Sequence, residues 1–329
     1  MKPLRIGTRG SALALWQANF IADSLKRLHG VECELVRIRT SGDRMQSAPV
    51  AQVNAGLAAP GGLKGIFIKE IEDALLAGTV DLAVHSMKDV PTEIPDGLAF
   101  AAITRREDPR DCLIARPART LQNLPVGARI GTSSLRRQAQ LRHQRPDLQL
   151  LDLRGNVDTR LKKLAAGECD AIVLAIAGIN RLGASNEITQ VLQPEIMLPA
   201  VGQGALGIET RVVDRAEDRE LARLAASLDD AETRACVTAE RALLRELEGG
   251  CQVPLGAYAR RQERELVLEA RVYSPDGVQC VRGEDRAPAS SPASADGLRG
   301  AEELGTRLAR QLVANGADRI LRLAGRAAG

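Results

Sequence analysis

Apolar residues along this chain fall into short runs alternating with stretches of helical period. Leu4–Gly7 is followed by the turn Thr8-Arg9-Gly10-Ser11. Ala12–Leu28 comes next, where Leu13, Trp16, Phe20 and Ile21 lie near helical spacing. This reads as strand, tight turn, helix, with Ser11 as the N-cap. Cys33–Thr40 predicts a second strand, and a helix opens at Lys64-Gly65 and runs to Ala77. Asp81–His85 is the apolar run of a buried strand. It ends abruptly in Ser86, Lys88 and Asp89, and Val90–Pro91 keeps the next step extended. Leu98–Ile103 closes this first α/β unit, and Arg105–Asp111, charged and proline-containing, reads as a linker.

The pattern then echoes itself. Ile6-Gly7-Thr8 recurs as Ile130-Gly131-Thr132, and Ala77-Gly78-x-x-Asp81 as Ala166-Gly167-x-x-Asp170 before the apolar run Ala171–Ala175. Two echoes in the same order predict two similar α/β domains facing one another. Leu198–Leu206, glycine-rich and apolar, crosses back toward the first, where Gly207–Thr210 adds a strand. Two crossings, here and near Arg105, form a hinge. Downstream, Ala231–Glu246 is helical, and Leu266–Tyr273, Pro275-Asp276-Gly277 and Val278–Gly283 read as a hairpin. Ala301–Ala314 is a closing helix stopped by Asn315-Gly316.

Composition narrows the function classes. The 329 residues suggest two or three domains. A net charge of +3 and 2% aromatic residues argue against a nucleic-acid binder. The start lacks an apolar signal core, and the longest apolar run, near Ala171–Ile179, falls far short of the roughly 20 residues a membrane span needs. The expectation is a cytoplasmic protein without membrane association. The six cysteines are scattered and form no Cys-x-x-Cys, and there are three histidines, so no metal site or disulfide framework is expected. With no coiled coil or long apolar stripe, a monomer is expected.

Candidate chemistry clusters after the predicted strands. Lys88 and Asp89 stand where an open α/β sheet binds ligands, though a solvated charge pair has the same sequence. Ser134 caps a helix whose first turn holds Arg136 and Arg137, and Arg154, Gly155, Asn156 and Arg160 mark the next strand-to-helix junction. Cations at a helix N-terminus oppose its dipole unless a bound anion reverses the cost, and a basic solvated face is the alternative. Ser41–Gly62 has no periodicity and reads as a binding lid or a surface insertion. Cys251 alone reads as a small buried hydrophobe.

Six motifs occur together: I-G-T-R-G-S-A-L-A-L-W-Q-A from Ile6, V-H-S-M-K-D-V-P from Val84, G-T-S-S-L-R-R-Q from Gly131, L-R-G-N-V-x-T-R-L from Leu153, L-P-A-V-G-Q-G-A from Leu198 and E-G-G-C-Q-V-P ending at Pro254. In kind and order they resemble the porphobilinogen deaminase (hydroxymethylbilane synthase) family. The resemblance implies an α/β fold of two similar periplasmic-binding-protein-like domains with a hinge, plus a small C-terminal α+β domain. The expected boundaries are 1–104 with 200–225, then 105–199, then 226–329. It implies a transferase of tetrapyrrole (porphyrin and haem) biosynthesis that deaminates four porphobilinogen molecules and joins them head to tail into hydroxymethylbilane, releasing ammonia. It further implies a dipyrromethane cofactor held as a thioether on Cys251, with Asp89 as the catalytic carboxylate. By the same resemblance Lys88, Ser134, Arg136 and Arg137 hold the cofactor. Arg9, Ser11, Gln17, Arg154, Arg160 and Arg181 bind substrate or the growing chain, and Lys64 belongs to the lid. Val50–Pro60 departs from the family in lacking a lysine that some members carry. The rival reading is a non-enzymatic two-domain protein that binds small anions.

Overall fold

The computed structural model describes residues 2–45, 67–116, 118–212, 216–247, 253–289 and 294–327. In chain order, β1 (Leu4–Thr8), α1 (Ala12–His29), β2 (Cys33–Arg37), α2 (Ser41–Met45), α3 (Lys69–Leu76), β3 (Leu82–Ser86) and β4 (Leu98–Ile103) come first. Next are β5 (Asp111–Ala115), β6 (Arg129–Gly131), α4 (Leu135–Gln144), β7 (Gln149–Leu151), α5 (Val157–Ala165), β8 (Ala171–Ala175), α6 (Ile176–Arg181) and β9 (Gln190–Leu192). The chain continues through β10 (Leu206–Arg211), α7 (Ala216–Ala226), α8 (Ala231–Glu246), β11 (Leu255–Gln262), β12 (Glu265–Tyr273), β13 (Cys280–Pro288), α9 (Ala295–Ala314) and α10 (Ala317–Ala327). Two units emerge: Met1–Arg106 with Ala205–Arg234, and Glu107–Gly204 with Ala235–Gly329.

The first unit holds a five-stranded sheet in the order β2-β1-β3-β10-β4. β1 is parallel to both β2 and β3, and β10 runs antiparallel between β3 and β4. Side chains alternate across it with the strand period of two. Ile6, Leu82, Val84 and Ile208 pack with Ala18, Ile21 and Leu25 of α1. Ala83 packs on the opposite face with Ile71 and Leu75 of α3.

The second unit contains a five-stranded sheet of matching design, β7-β6-β8-β5-β9, again with one antiparallel strand in fourth place. The sequence echoes have a physical cause in this repetition. In the first sheet Arg5 donates from its backbone N–H to Asp81 Oδ2 (2.8 Å), from Nη2 to Oδ1 (2.7 Å) and to the Gly78 carbonyl (2.8 Å). In the second, Arg129 donates from its N–H to Asp170 Oδ2 (2.8 Å), from Nη2 to Oδ1 (2.8 Å) and to the Gly167 carbonyl (3.1 Å). Gly78 and Gly167 both have positive φ, 69° and 78°, the left-handed turn that glycine enters without a Cβ clash. The expected pair of similar α/β domains is therefore present as two sheets of one topology.

The small C-terminal sheet is the antiparallel ribbon β11-β12-β13, covered by α8, α9 and α10. Its hairpin is longer than the sequence predicts: β13 continues to Pro288, and β11 pairs along the other edge of β12. β11, with Arg260, Arg261 and Gln262 at its end, has too weak a hydrophobic alternation to stand out. The segment read as a linker also ends in strand, because Asp111 is the first residue of β5.

Tight packing sets the β3–β10 contact. A Cβ built on Gly207 would lie 2.4 Å from Met87 Sδ and 2.5 Å from Phe100 Cε1. Replacing Gly207 with valine is therefore expected to destabilise the chain by about 1–3 kcal/mol, read as a lower urea midpoint with unchanged slope. An unchanged midpoint would contradict this packing.

Candidate active site

Parallel strands end at one edge of a sheet, so the loops after β1, β2 and β3 share an edge, as do those after β6, β7 and β8. In the first unit this brings together Arg9 and Ser11 after β1, Thr40 and Asp43 after β2, and Lys88 and Asp89 after β3. Ser11 is the N-cap of α1, its Oγ accepting from the Ala14 N–H at 3.3 Å. Gln17, buried one turn further on, donates from Nε2 to Ser86 Oγ at 2.9 Å and so ties α1 to the end of β3.

Asp89 lies in a 3-10 turn, Met87–Asp89, that leaves β3 directly. The turn is held by the Met87 N–H, which donates to the Ala205 carbonyl (3.0 Å), and the Val90 N–H, which donates to the Met87 carbonyl (3.3 Å). Lys88 and Asp89 are both half-buried. No side chain among the described residues pairs with the Asp89 carboxylate. The turn therefore presents a carboxylate at the sheet edge without a neutralising partner from the described chain.

Arg9 is already engaged. Its Nε donates to Asp43 Oδ1 at 3.0 Å, and its guanidinium lies 4.2 Å from the Phe67 ring centroid, within cation–π range. Burial alone would raise the Asp43 carboxyl. Arg9, helped by Thr40, outweighs this and holds it below the usual carboxylate range.

In the second unit Ser134 caps α4, its Oγ accepting from the Arg137 N–H at 3.4 Å. Arg136 and Arg137 follow in the first turn, and both side chains are buried. They converge on Asp111, the fully buried first residue of β5: Arg136 Nη1 to Oδ2 and Arg137 Nη2 to Oδ1, each at 2.7 Å. Arg137 also donates to the Val173 carbonyl (3.0 Å), Arg136 to that of Leu198 (2.6 Å), and Gln203 Nε2 to Asp111 Oδ1 (3.0 Å). Burial would raise the Asp111 carboxyl, but the two guanidiniums hold it far below the ordinary range. The cluster joins two cations to one anion, so it stays positive beside a helix N-terminus. That charge and the remaining guanidinium N–H groups fit a carboxylate-bearing ligand such as dipyrromethane.

Arg154, after β7, is exposed and pairs with exposed Asp152 (Nε to Oδ2, 2.9 Å). Arg160, on α5, donates to the Gly155 carbonyl at 2.8 Å. Arg181, in the last turn of α6, donates to the Gly204 carbonyl at 2.7 Å; burial pushes its guanidinium down to about 10 against the pull of Glu107. Lys64 and Cys251 lie outside the described residues, as does most of the expected lid at 41–62, although α2 occupies its first five positions.

The sequence reading missed Asp43 and Asp111. Asp111 carried a signal in Glu107-Asp108-Pro109-Arg110-Asp111, since a carboxylate opening a buried strand needs partners. Asp111→Asn leaves two buried guanidiniums without their counter-charge and is expected to cost about 3–5 kcal/mol at neutral pH. Because the folded carboxyl titrates below its unfolded value, this stabilisation is complete above about pH 4. It fades as the pH falls toward the folded value. The stability gap between parent and variant, measured by urea unfolding, should narrow on acidification below about pH 4; a constant gap would contradict the ionic account.

Comparison with known proteins bears on this arrangement. Residues 4–219 match a family model described as porphobilinogen deaminase, dipyromethane cofactor binding domain, and residues 234–314 match the porphobilinogen deaminase C-terminal domain. The chain is 50% identical over 319 residues to a porphobilinogen deaminase of Syntrophotalea carbinolica, covering 97% of this chain and 95% of that protein. It is 50% identical over 321 residues to one of Trichlorobacter lovleyi, covering 97% and 96%. Among solved structures it is similar to a periplasmic substrate-binding protein of an ABC transporter from Coxiella burnetii, with 12% identity, a TM-score of 0.40, and 68% and 91% of the two chains covered. With family models spanning both the cofactor-binding and the C-terminal regions, the chain belongs to the porphobilinogen deaminase family.

Proposed function

We propose that this chain is the transferase that deaminates porphobilinogen and joins four molecules head to tail into hydroxymethylbilane, with Asp89 as its catalytic carboxylate. The observation that carries the assignment of Asp89 is its half-buried carboxylate at the carboxyl end of β3, which no side chain among the described residues pairs with. Loss of ammonia from the substrate leaves a cationic methylene-pyrrole. A carboxylate fixed beside that carbon stabilises the positive charge as it develops. The same group can accept and return the pyrrole N–H proton as ring charge appears and disappears.

The bound dipyrromethane supplies the pyrrole carbon on which the first substrate unit is joined. Cys251 is its attachment point in this proposal, and Lys88, Ser134, Arg136 and Arg137 hold its acetate and propionate arms. The positive Arg136–Arg137–Asp111 cluster supports this, since two guanidiniums facing one carboxylate retain capacity for an anion. Arg9, Ser11, Gln17, Arg154, Arg160 and Arg181 orient the carboxylates of incoming substrate and growing chain, and Lys64 acts from the lid. Arg154 suits a transient role because its present partner, Asp152, is an exposed carboxylate that a substrate carboxylate can replace at little cost. The domains are proposed to divide at 1–104 with 200–225, 105–199 and 226–329, with a hinge at the crossings. The chain is proposed to act in the cytoplasm as a monomer.

Asp89→Ala is expected to lower kcat by at least about 100-fold with an unchanged urea midpoint. Arg154→Leu is expected to accept the first units and then stall. Both are read by stopped assays for hydroxymethylbilane alongside unfolding curves. A fully active Asp89→Ala protein would remove the central assignment.

A further inference from the structure

Three ionisable side chains lie buried on the α3 face of the first sheet, and no step of the proposed reaction uses them. His85 on β3 is 5% exposed, Glu209 on β10 is 0% and Glu72 on α3 is 9%. His85 Nε2 and Glu209 Oε2 are 3.1 Å apart. Among the described residues, Glu209 Oε1 is buried without a hydrogen-bond partner. Burial pushes Glu72 up to about 7, with Glu209 adding to the rise and His85 opposing it; Asp73 and Lys69 on α3 act on it more weakly and in opposite senses. The same layer holds the apolar cluster of Ile71, Leu75, Val80, Ala83 and Leu98, with Arg211 of β10 donating to the Leu75 and Val80 carbonyls (each 2.9 Å) and pairing with Asp218. A buried charged group with an unsatisfied oxygen lowers stability relative to apolar side chains of similar size. Stability does not explain the cluster.

Its position does. His85 is the penultimate residue of β3, and Met87 opens the turn that carries Asp89. In the β3–β10 ladder His85 is registered with Gly207, over which Met87 and Phe100 close. The imidazole meets the Phe100 ring edge-on, with centroids 6.2 Å apart. The Met87 N–H bonds to Ala205, just before β10. The His85–Glu209 hydrogen bond and the Met87 packing thus fasten the same two strands on either side of the point where the turn departs.

We propose that His85 and Glu209 are positioning residues that fix the height and direction of the Met87–Asp89 turn, so that the Asp89 carboxylate is held at the reacting carbon. The inference rests on the reading of Asp89 given above. A displacement of the turn by about 1 Å is enough to cost on the order of 100-fold in rate. Substrate binding, which the arginines supply, is left largely intact.

The test compares the cofactor-loaded parent with H85L/E209M and E209Q, with loading of each verified by intact mass. The double variant exchanges the polar pair for apolar side chains and is expected to keep or raise the urea midpoint. Its kcat should fall about 100-fold while KM stays within about threefold. E209Q keeps an acceptor for His85 and should retain kcat within about tenfold. A double variant that folds and turns over at the parental rate overturns the proposal. So does one that fails to fold, which would make the network structural, or an E209Q as slow as the double variant, which would make charge the determinant. Failure of the underlying reading is separately visible: Asp89→Ala would then match the parent in the same assay.

Discussion

An arginine at the start of the first strand, gripped by an aspartate at the start of the third, sets the register on which everything else depends. Arg5 and Asp81 do this in one sheet, and Arg129 and Asp170 in the other. The backbone completes each lock: the Asp81 N–H donates to the Arg5 carbonyl (2.8 Å) and the Asp170 N–H to that of Arg129 (2.9 Å). A slip of one residue would turn every side chain of a strand to the opposite face. With register fixed at the amino end, the carboxyl ends fall level, and Arg9, Ser11, Lys88 and Asp89 come to one edge. The same holds for Ser134, Arg154 and Arg181. The residues proposed for the site are thus placed by a pair at the far end of the strands.

The two sheet edges carry opposite problems. In the first unit the carboxylate proposed for catalysis has no side-chain partner among the described residues, and the turn at Asp89 is fixed through its backbone and through Met87. In the second, two arginines must be held close together despite their mutual repulsion and the unfavourable helix dipole. Asp111 resolves this by neutralising one charge of two, which leaves the cluster one net positive charge. Replacing Asp111 by an apolar residue would remove the counter-charge that allows the pair to be buried.

Much of this was legible in the sequence. The helix caps Ser11 and Ser134, the bounds of α8 and the strand leading to Asp89 followed from local pattern and capping chemistry. The internal repeat was visible as two short echoes, but its cause, the Arg–Asp lock, required the arginine before each Ile-Gly-Thr to be paired with an aspartate many residues later. Long-range ion pairs leave no periodic trace. For the same reason Asp43 and Asp111 were missed, and Arg136 and Arg137 read as ligand-facing or as a basic solvated face, not as partners of a buried aspartate. β11 was missed because its end is polar. The Phe67–Arg9 contact could not be read either, since nothing local links an aromatic at position 67 to a turn near the start.

The most direct test of the account is intact mass after brief exposure to limiting porphobilinogen. The purified chain should exceed its sequence mass by one dipyrromethane, and substrate should add a ladder of discrete one-, two- and three-unit adducts. Cys251→Ser should show neither. A parent protein that shows only its bare sequence mass, with and without porphobilinogen, would contradict the account.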